Sequence, residues 1–303
     1  MTDSLRDVGN VELCYEVLGQ ISFDTGQGDL YAARNRATGE KVAIKAQKER
    51  GFESTGCFEE LGKELATEGT HTSRLSEVPG VPELIAVGKL GDRKCLVMEY
   101  VDGVPLSDVV SLFRPVRETA TVASVIGQLC EILNDVHRLD LVHRDVKLDN
   151  VMVQHSGQLR LLDLGMATPT NEGTEWGCGT IGYAAPEQLR PSDVGVTAQA
   201  DIFSLGCLLL EMTVMQLPYG GTRSGIEARN PVVLPPDRID AIPEAFAGLA
   251  LAMVELKPEN RPATVREVYE GIRASLPATG VPAPRKPLRP DPTEYYRAFP
   301  HRW

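Results

Sequence analysis

Residues 143 to 150 of this 303-residue chain read His-Arg-Asp-Val-Lys-Leu-Asp-Asn, and Asp163-Leu164-Gly165 begins thirteen positions after Asn150. The two strings place a base candidate (Asp145), a cation (Lys147) and two oxygen donors suited to a hard metal ion (Asn150 and Asp163) within one short stretch. Taken singly, each residue is read equally well as a loop polar group capping a helix. Taken together, in this order, they require a fold that holds a charged loop in one defined shape.

The length allows one large domain or two lobes with ample apolar material for a core. Hydrophobic residues at 42% and charged residues at 24% are ordinary for a globular chain. A net charge of −11 argues against a nucleic-acid surface or an anionic membrane surface, both of which need clustered Lys and Arg. Six dispersed cysteines (Cys14, Cys57, Cys95, Cys130, Cys178, Cys207) form no C-x-x-C pair, the pattern of reduced thiols rather than of disulfides or a zinc site. No charged-then-apolar leader opens the chain, and the most apolar run, Ile202 to Leu210, is too short to span a bilayer. A cytoplasmic location is expected.

From Val11 to about Val101 the pattern is strand-like, with runs at 11–17, 30–33, 42–45 and 96–101 and a turn at Thr38-Gly39-Glu40. Phe58 to about Leu75 reads as one helix, ended by Pro79, Gly80 and Pro82. After Pro105 helices dominate, at 121–139, 197–217, 246–256 and 265–276. Six prolines between 277 and 292 then favour an extended segment, which ends in Tyr295-Tyr-Arg-Ala-Phe-Pro-His-Arg-Trp303.

The octet matches the catalytic-loop signature H-R-D-x-x-x-x-N of protein kinases, and Asp163-Leu164-Gly165 resembles their D-F-G metal motif. Val42-Ala43-Ile44-Lys45 is identical to the V-A-I-K string of the same family. Over residues 11 to 275 the chain resembles the eukaryotic-like Ser/Thr protein kinases, with a weak lean towards bacterial members. The resemblance implies an α+β, two-lobed fold: an extension (1–10), a small β-rich lobe with one helix (11–98), a hinge (99–103), a helical lobe (104–276) and a Pro-rich, basic and aromatic tail (277–303). It implies ATP as cofactor with Mg²⁺, or Mn²⁺ in its place, and transfer of the γ-phosphate to Ser or Thr hydroxyls of a protein in a signalling role.

The roles implied are specific. Lys45 pairs with the nucleotide phosphates and with a helix glutamate; Glu68 fits the spacing best, with Glu64 one turn earlier as the alternative. Asp145 is the base, Lys147 neutralises the γ-phosphate, and Thr180 bonds to both. Asn150 and Asp163 hold the metal ions. Met98 guards the back of the adenine pocket, Glu99 and Val101 offer backbone groups to the adenine edge, and Leu164 is one of its apolar walls. Glu187 with Arg261, and Asp201 beneath the catalytic loop, are structural.

Three features depart from the pattern. The glycine loop, expected to cover the phosphates with Gly19, Gly26 and Gly28, is about four residues too long when anchored at Gly19. Arg144 before Asp145 implies activation-segment phosphorylation, with autophosphorylation expected at Thr168, Thr170 or Thr174 and acidic Glu172 and Glu175 as alternative sources of charge. The basic tail (Arg285, Lys286, Arg289, Arg297, Arg302), with Tyr295, Tyr296, Phe299 and Trp303 as anchors, suggests docking in cis or onto another copy; a disordered linker is the bland reading. Two other functions stay open: a kinase-shaped scaffold without transfer, and a small-molecule kinase of the same fold.

Overall fold

The computed structural model describes residues 6–25, 28–48, 58–110, 114–173, 178–190 and 195–303, with the side chains of 22–25 left aside. The chain divides into two units, Met1–Val101 and Asp102–Trp303.

The first unit begins with β1 (Asp7–Asn10), β2 (Tyr15–Thr25), β3 (Gly28–Asn35) and β4 (Lys41–Gln47), followed by α1 (Phe58–Arg74), β5 (Leu84–Leu90) and β6 (Arg93–Glu99). Its sheet runs in the order β1-β5-β6-β4-β3-β2, antiparallel except for the parallel β1–β5 pair. Burial of Val42, Ile44 and Ala46 at every second position lays one face of β4 on a core with Tyr15, Ala33, Ala86 and Val97. In α1 the buried Leu61, Leu65, Glu68 and Thr72 recur at helical spacing. Two expectations are corrected. Residues 7–10 are a strand of the sheet rather than an extension outside it, and Val11–Leu13 form a single 3₁₀ turn because Asn10 caps the Glu12 N–H.

The second unit contains β7 (Gly103–Pro105), α2 (Leu106–Val109), α3 (Thr119–Arg138), β8 (Leu141–Val142), β9 (Val151–Gln154), β10 (Leu159–Leu161) and β11 (Thr168–Pro169). There follow α4 (Ala198–Val214), α5 (Arg223–Ile226), α6 (Pro236–Ile239), α7 (Glu244–Met253), α8 (Val265–Ile272) and α9 (Thr293–Ala298). α3 and α4 are buried on nearly every side, as helices at the centre of a lobe must be. α4 stops three residues before the expected end, because Met215 turns left-handed at φ 57° and closes on the Glu211 carbonyl. Two small antiparallel ladders, β10-β9-β7 and β11-β8, frame the charged octet.

The segment from 277 is not appended outside this unit but folded onto it. Tyr296 of α9 is fully buried and donates to Glu131 Oε1 of α3 at 2.8 Å. Arg302 forks onto Asp135 at 2.6 and 2.7 Å, and Trp303 meets Tyr269 edge-on at 4.8 Å between ring centres. Gln128 of α3 joins this segment to the β9–β10 turn, donating to the carbonyls of Gly157 and Pro292 and accepting from the Leu159 N–H. Of the four aromatic anchors expected, Phe299 stays 56% exposed. Among the described residues no helix is long and apolar enough to cross a membrane.

Candidate active site

Within the first unit, Lys45 of β4 donates to both carboxylate oxygens of Glu68 at 2.8 Å, and both residues are buried. The helical period settles the choice of partner: Glu68 shares the inward face with Leu61 and Leu65, whereas Glu64 is exposed. Removing either member of such a pair leaves an uncompensated buried charge, at a cost of about 3–5 kcal/mol. Met98 packs partly buried against Leu65, Leu84 and Leu96. Glu99 opposes Val42 across the β4–β6 ladder, and Val101 is half-buried at the unit's end.

Within the second unit, β8 ends at Val142 and β9 begins at Val151, so the octet is the connection between two strands. Asp145 is its centre. Lys147 Nζ donates to Asp145 Oδ2 at 2.8 Å and to Thr180 Oγ1 at 2.7 Å, and Thr180 Oγ1 donates to Asp145 Oδ1 at 2.5 Å. Asn150 Nδ2 donates to the Asp145 carbonyl and to Oδ2, both at 2.8 Å. The carboxylate is thereby fixed in direction while its oxygens remain acceptors, the arrangement needed to orient a hydroxyl and take its proton. These four expected residues are brought together.

The loop is held from beneath by Asp201 on the first turn of α4. Its Oδ1 accepts from the Arg144 N–H at 2.7 Å; its Oδ2 accepts from the His143 N–H at 2.9 Å and meets His137 Nε2 at 2.8 Å. Burial alone would raise this carboxyl's pKa; the His137 hydrogen bond and charge, with the His143 contacts, outweigh it and hold the value below the ordinary one. His143, fully buried, bonds through Nε2 to the Leu162 carbonyl and accepts the Asp145 N–H at Nδ1, tying the loop to the segment before Asp163. Arg261 makes a bidentate pair with Glu187 at 2.7 and 3.0 Å and donates to three backbone carbonyls besides, a structural rivet far from Asp145 in sequence.

Asn150 spends its amide nitrogen on Asp145, which turns its oxygen into the remaining donor atom of the side chain. Asp163 lies two residues beyond the Leu161 end of β10, with Leu164 buried beside it. An amide oxygen plus a carboxylate suits a hard divalent cation that takes its other ligands from phosphate and water. Arg144 and Asp163 both hold left-handed φ, 68° and 61°, and such non-glycine strain costs about 1–3 kcal/mol each and gathers at functional sites.

The glycine expectations divide. Gly26 and Thr174 lie outside the described residues. Thr25 pairs with Gly28 across the β2–β3 ladder, and a Cβ on Gly28 would stand 2.6 Å from the Ala46 carbonyl oxygen. Close strand approach therefore accounts for that glycine. Gly19 has open space around it, next to an irregularity in the β2–β3 register. Thr168 is 7% exposed and donates to Glu172 at 3.0 Å; Thr170 is half-buried.

Sequence reasoning passed over His137, Gln188 and Gln128. Gln188 Nε2 braces the Arg144 carbonyl at 2.8 Å, and His137 reaches Asp201. For Gln128 and His137, polar side chains on the largely buried α3, that burial is the signal that was there to read; Gln188 lies in a short 3₁₀ turn with no such signal.

The chain is 28% identical over 285 residues to the serine/threonine-protein kinase PknB of Mycolicibacterium smegmatis, covering 86% of this chain and 44% of that protein. It is 29% identical over 262 residues to a probable serine/threonine-protein kinase, CPE1738, of Clostridium perfringens, covering 84% and 37%. It is 30% identical over 289 residues to the serine/threonine-protein kinase PknH of Mycobacterium tuberculosis, covering 88% and 45%. The chain thus spans less than half the length of these relatives. Residues 18–270 match the protein kinase domain model, and with the catalytic-loop geometry above this chain belongs to the protein kinase family.

Proposed function

We propose that this chain transfers the γ-phosphate of ATP to Ser or Thr hydroxyls of protein substrates. The observation that carries the reading is the Asp145–Lys147–Thr180 triangle, in which a lysine two residues after the carboxylate bridges it to a threonine of the following segment. Asp145 orients the substrate hydroxyl and receives its proton as oxygen attacks the γ-phosphorus; the bond to the bridging oxygen breaks and ADP leaves. Lys147 offsets the charge that gathers on the phosphoryl oxygens. Lys45, held straight by Glu68, binds the non-transferred phosphates. Asn150 and Asp163 would hold the metal, for which Mg²⁺ is the choice that oxygen ligands and phosphates favour; bound there, it neutralises phosphate charge. The requirement for ATP and the described cysteines, all free, fit a reducing, cytoplasmic setting.

The test is transfer from radiolabelled ATP to casein with Mg²⁺, comparing wild type with Asp145→Asn and Lys45→Met. Asp145→Asn is expected to lower kcat by about 10²–10⁴. Transfer that survives it at the wild-type rate overturns the mechanism.

A further inference from the structure

The two oxygen donors of the site sit at one end of a single hairpin. Asn150 immediately precedes β9, and Asp163 lies two residues beyond β10. The ladder pairs Val151 with Leu161, and the Leu162 N–H donates to the Asn150 carbonyl at 2.7 Å. A slip of one strand along the other would therefore carry Asp163 away from Asn150.

The opposite end of the hairpin meets the C-terminal segment. Its turn is closed by the Gln154 N–H on the Gln158 carbonyl and the Gly157 N–H on the Gln154 carbonyl, both at 2.9 Å. Gly157 holds φ 76°, and a Cβ there would collide with the Asp291 carbonyl oxygen and stand 3.0 Å from Glu294 Cβ. Turn and segment thus approach more closely than any side chain allows. Gln128 of α3, 3% exposed, joins them. Its Nε2 donates to the Gly157 carbonyl at 3.0 Å and to the Pro292 carbonyl at 3.1 Å, while its Oε1 accepts the Leu159 N–H at 2.9 Å. These are three of the four hydrogen bonds open to a side-chain amide. Glu131 and Asp135 follow at helical spacing on the same face of α3, where they hold Tyr296 and Arg302.

Packing alone would be served as well by an apolar side chain, since a buried amide gains little net stability even when satisfied. What the amide adds is a fixed spacing among three backbones: α3, the hairpin and the segment. From Gln154 to Asn150 the strand runs about 13 Å at 3.3 Å per residue, with no loop between to absorb a shift.

We propose that Gln128 is a positioning residue for phosphoryl transfer: anchored by the C-terminal segment, it fixes the β9–β10 hairpin in the register that sets Asp163 beside Asn150, and thereby sets the affinity for the divalent cation. The inference rests on the phosphoryl-transfer reading and extends it to a segment beyond the residues 18–270 that match the kinase domain model.

The experiment uses the full chain with two readouts. One is transfer from radiolabelled ATP to casein at graded free Mg²⁺; the other is hydrogen–deuterium exchange of the Leu162 amide without nucleotide or metal. Gln128→Met is expected to raise the half-saturating Mg²⁺ about tenfold with kcat within about twofold of wild type. Leu162 exchange should quicken about tenfold in the same variant, while amides of α4 keep their wild-type rates. The Tyr296→Phe, Arg302→Ala double variant leaves every bond of Gln128 in place and loosens only its anchor, so both readouts should move the same way by about threefold. Wild-type Mg²⁺ dependence in Gln128→Met, or a loss borne by kcat alone, overturns the inference. So does faster exchange at Leu159 that stops short of Leu162, because the turn would then loosen without moving the metal donors. Should Gln128→Met fail to fold, unchanged Leu162 exchange in the double variant overturns it equally. The exchange measurement needs no transfer, so absence of transfer from the wild type would defeat only the kinase reading.

Discussion

Asp201 is a fully buried carboxylate whose charge is stabilised by a histidine and by two backbone N–H groups of the catalytic loop. Its folded pKa lies below the ordinary value of 3.8. A depressed carboxylate contributes stability that is present above the unfolded pKa and lost as pH falls through the folded one. At neutral pH, Asp201→Asn should therefore cost about 2–3 kcal/mol in urea unfolding, the worth of charged hydrogen bonds left imperfect. The gap between wild type and variant should narrow below about pH 4 as the wild-type carboxyl protonates as well. A gap that stays constant down to pH 2.5 would show that Asp201 acts by shape alone. Asp145, Lys147 and Asn150 were legible as a group because they fall within six residues of one another. His137 was not, because its partner lies sixty-four residues away.

At the scale of elements, α3 packs tightly against the chain's C-terminal segment. A Cβ on Gly127 would stand 2.7 Å from the Tyr296 hydroxyl and 3.1 Å from Leu276 Cδ2. Tyr296 cannot swing aside without losing its bond to Glu131. Gly127→Ala is expected to destabilise by about 1–3 kcal/mol although alanine is the better helix former. In a Tyr296→Phe background, which removes the clashing oxygen, denaturant midpoints should show a smaller penalty. Equal penalties in the two backgrounds would place the strain elsewhere. The helix itself was readable from its apolar period; that a glycine within it serves a tyrosine 169 positions later was not.

Over the whole molecule, the last 27 residues behave as part of the second unit. Their prolines rule out long helix but permit the six-residue α9, and α9 delivers Tyr296 into a site formed with Glu131. Burial raises the Glu131 pKa above its ordinary value, against the Tyr296 hydrogen bond and the charges of Arg302 and His301, so the Glu131 carboxyl, unlike that of Asp201, favours the folded state more as pH falls towards the ordinary carboxylate range. Truncation after Leu276 would strip Gln128, Glu131 and Asp135 of partners and expose the face that Tyr296 covers. It is expected to lower Tm by at least about 5 °C, from roughly 2 kcal/mol for one buried aromatic side chain and a comparable loss of hydrogen bonds. An unchanged melting curve would make the segment a linker after all.

The short motifs carried most of the functional reading, because phosphoryl-transfer chemistry needs particular side chains close together along the chain, and such sets survive as strings. The strand and helix periods conveyed the division into a β-rich and a helical half, because burial on one face leaves a local imprint. The spacing already favours Glu68 over Glu64; tertiary structure alone decided the packing role of Gly28, the incorporation of residues 7–10 and 277–303, and the unpartnered side-chain nitrogens of Arg144. Each of these depends on which groups share a volume after folding, and sequence spacing does not record that when the partners come from distant elements.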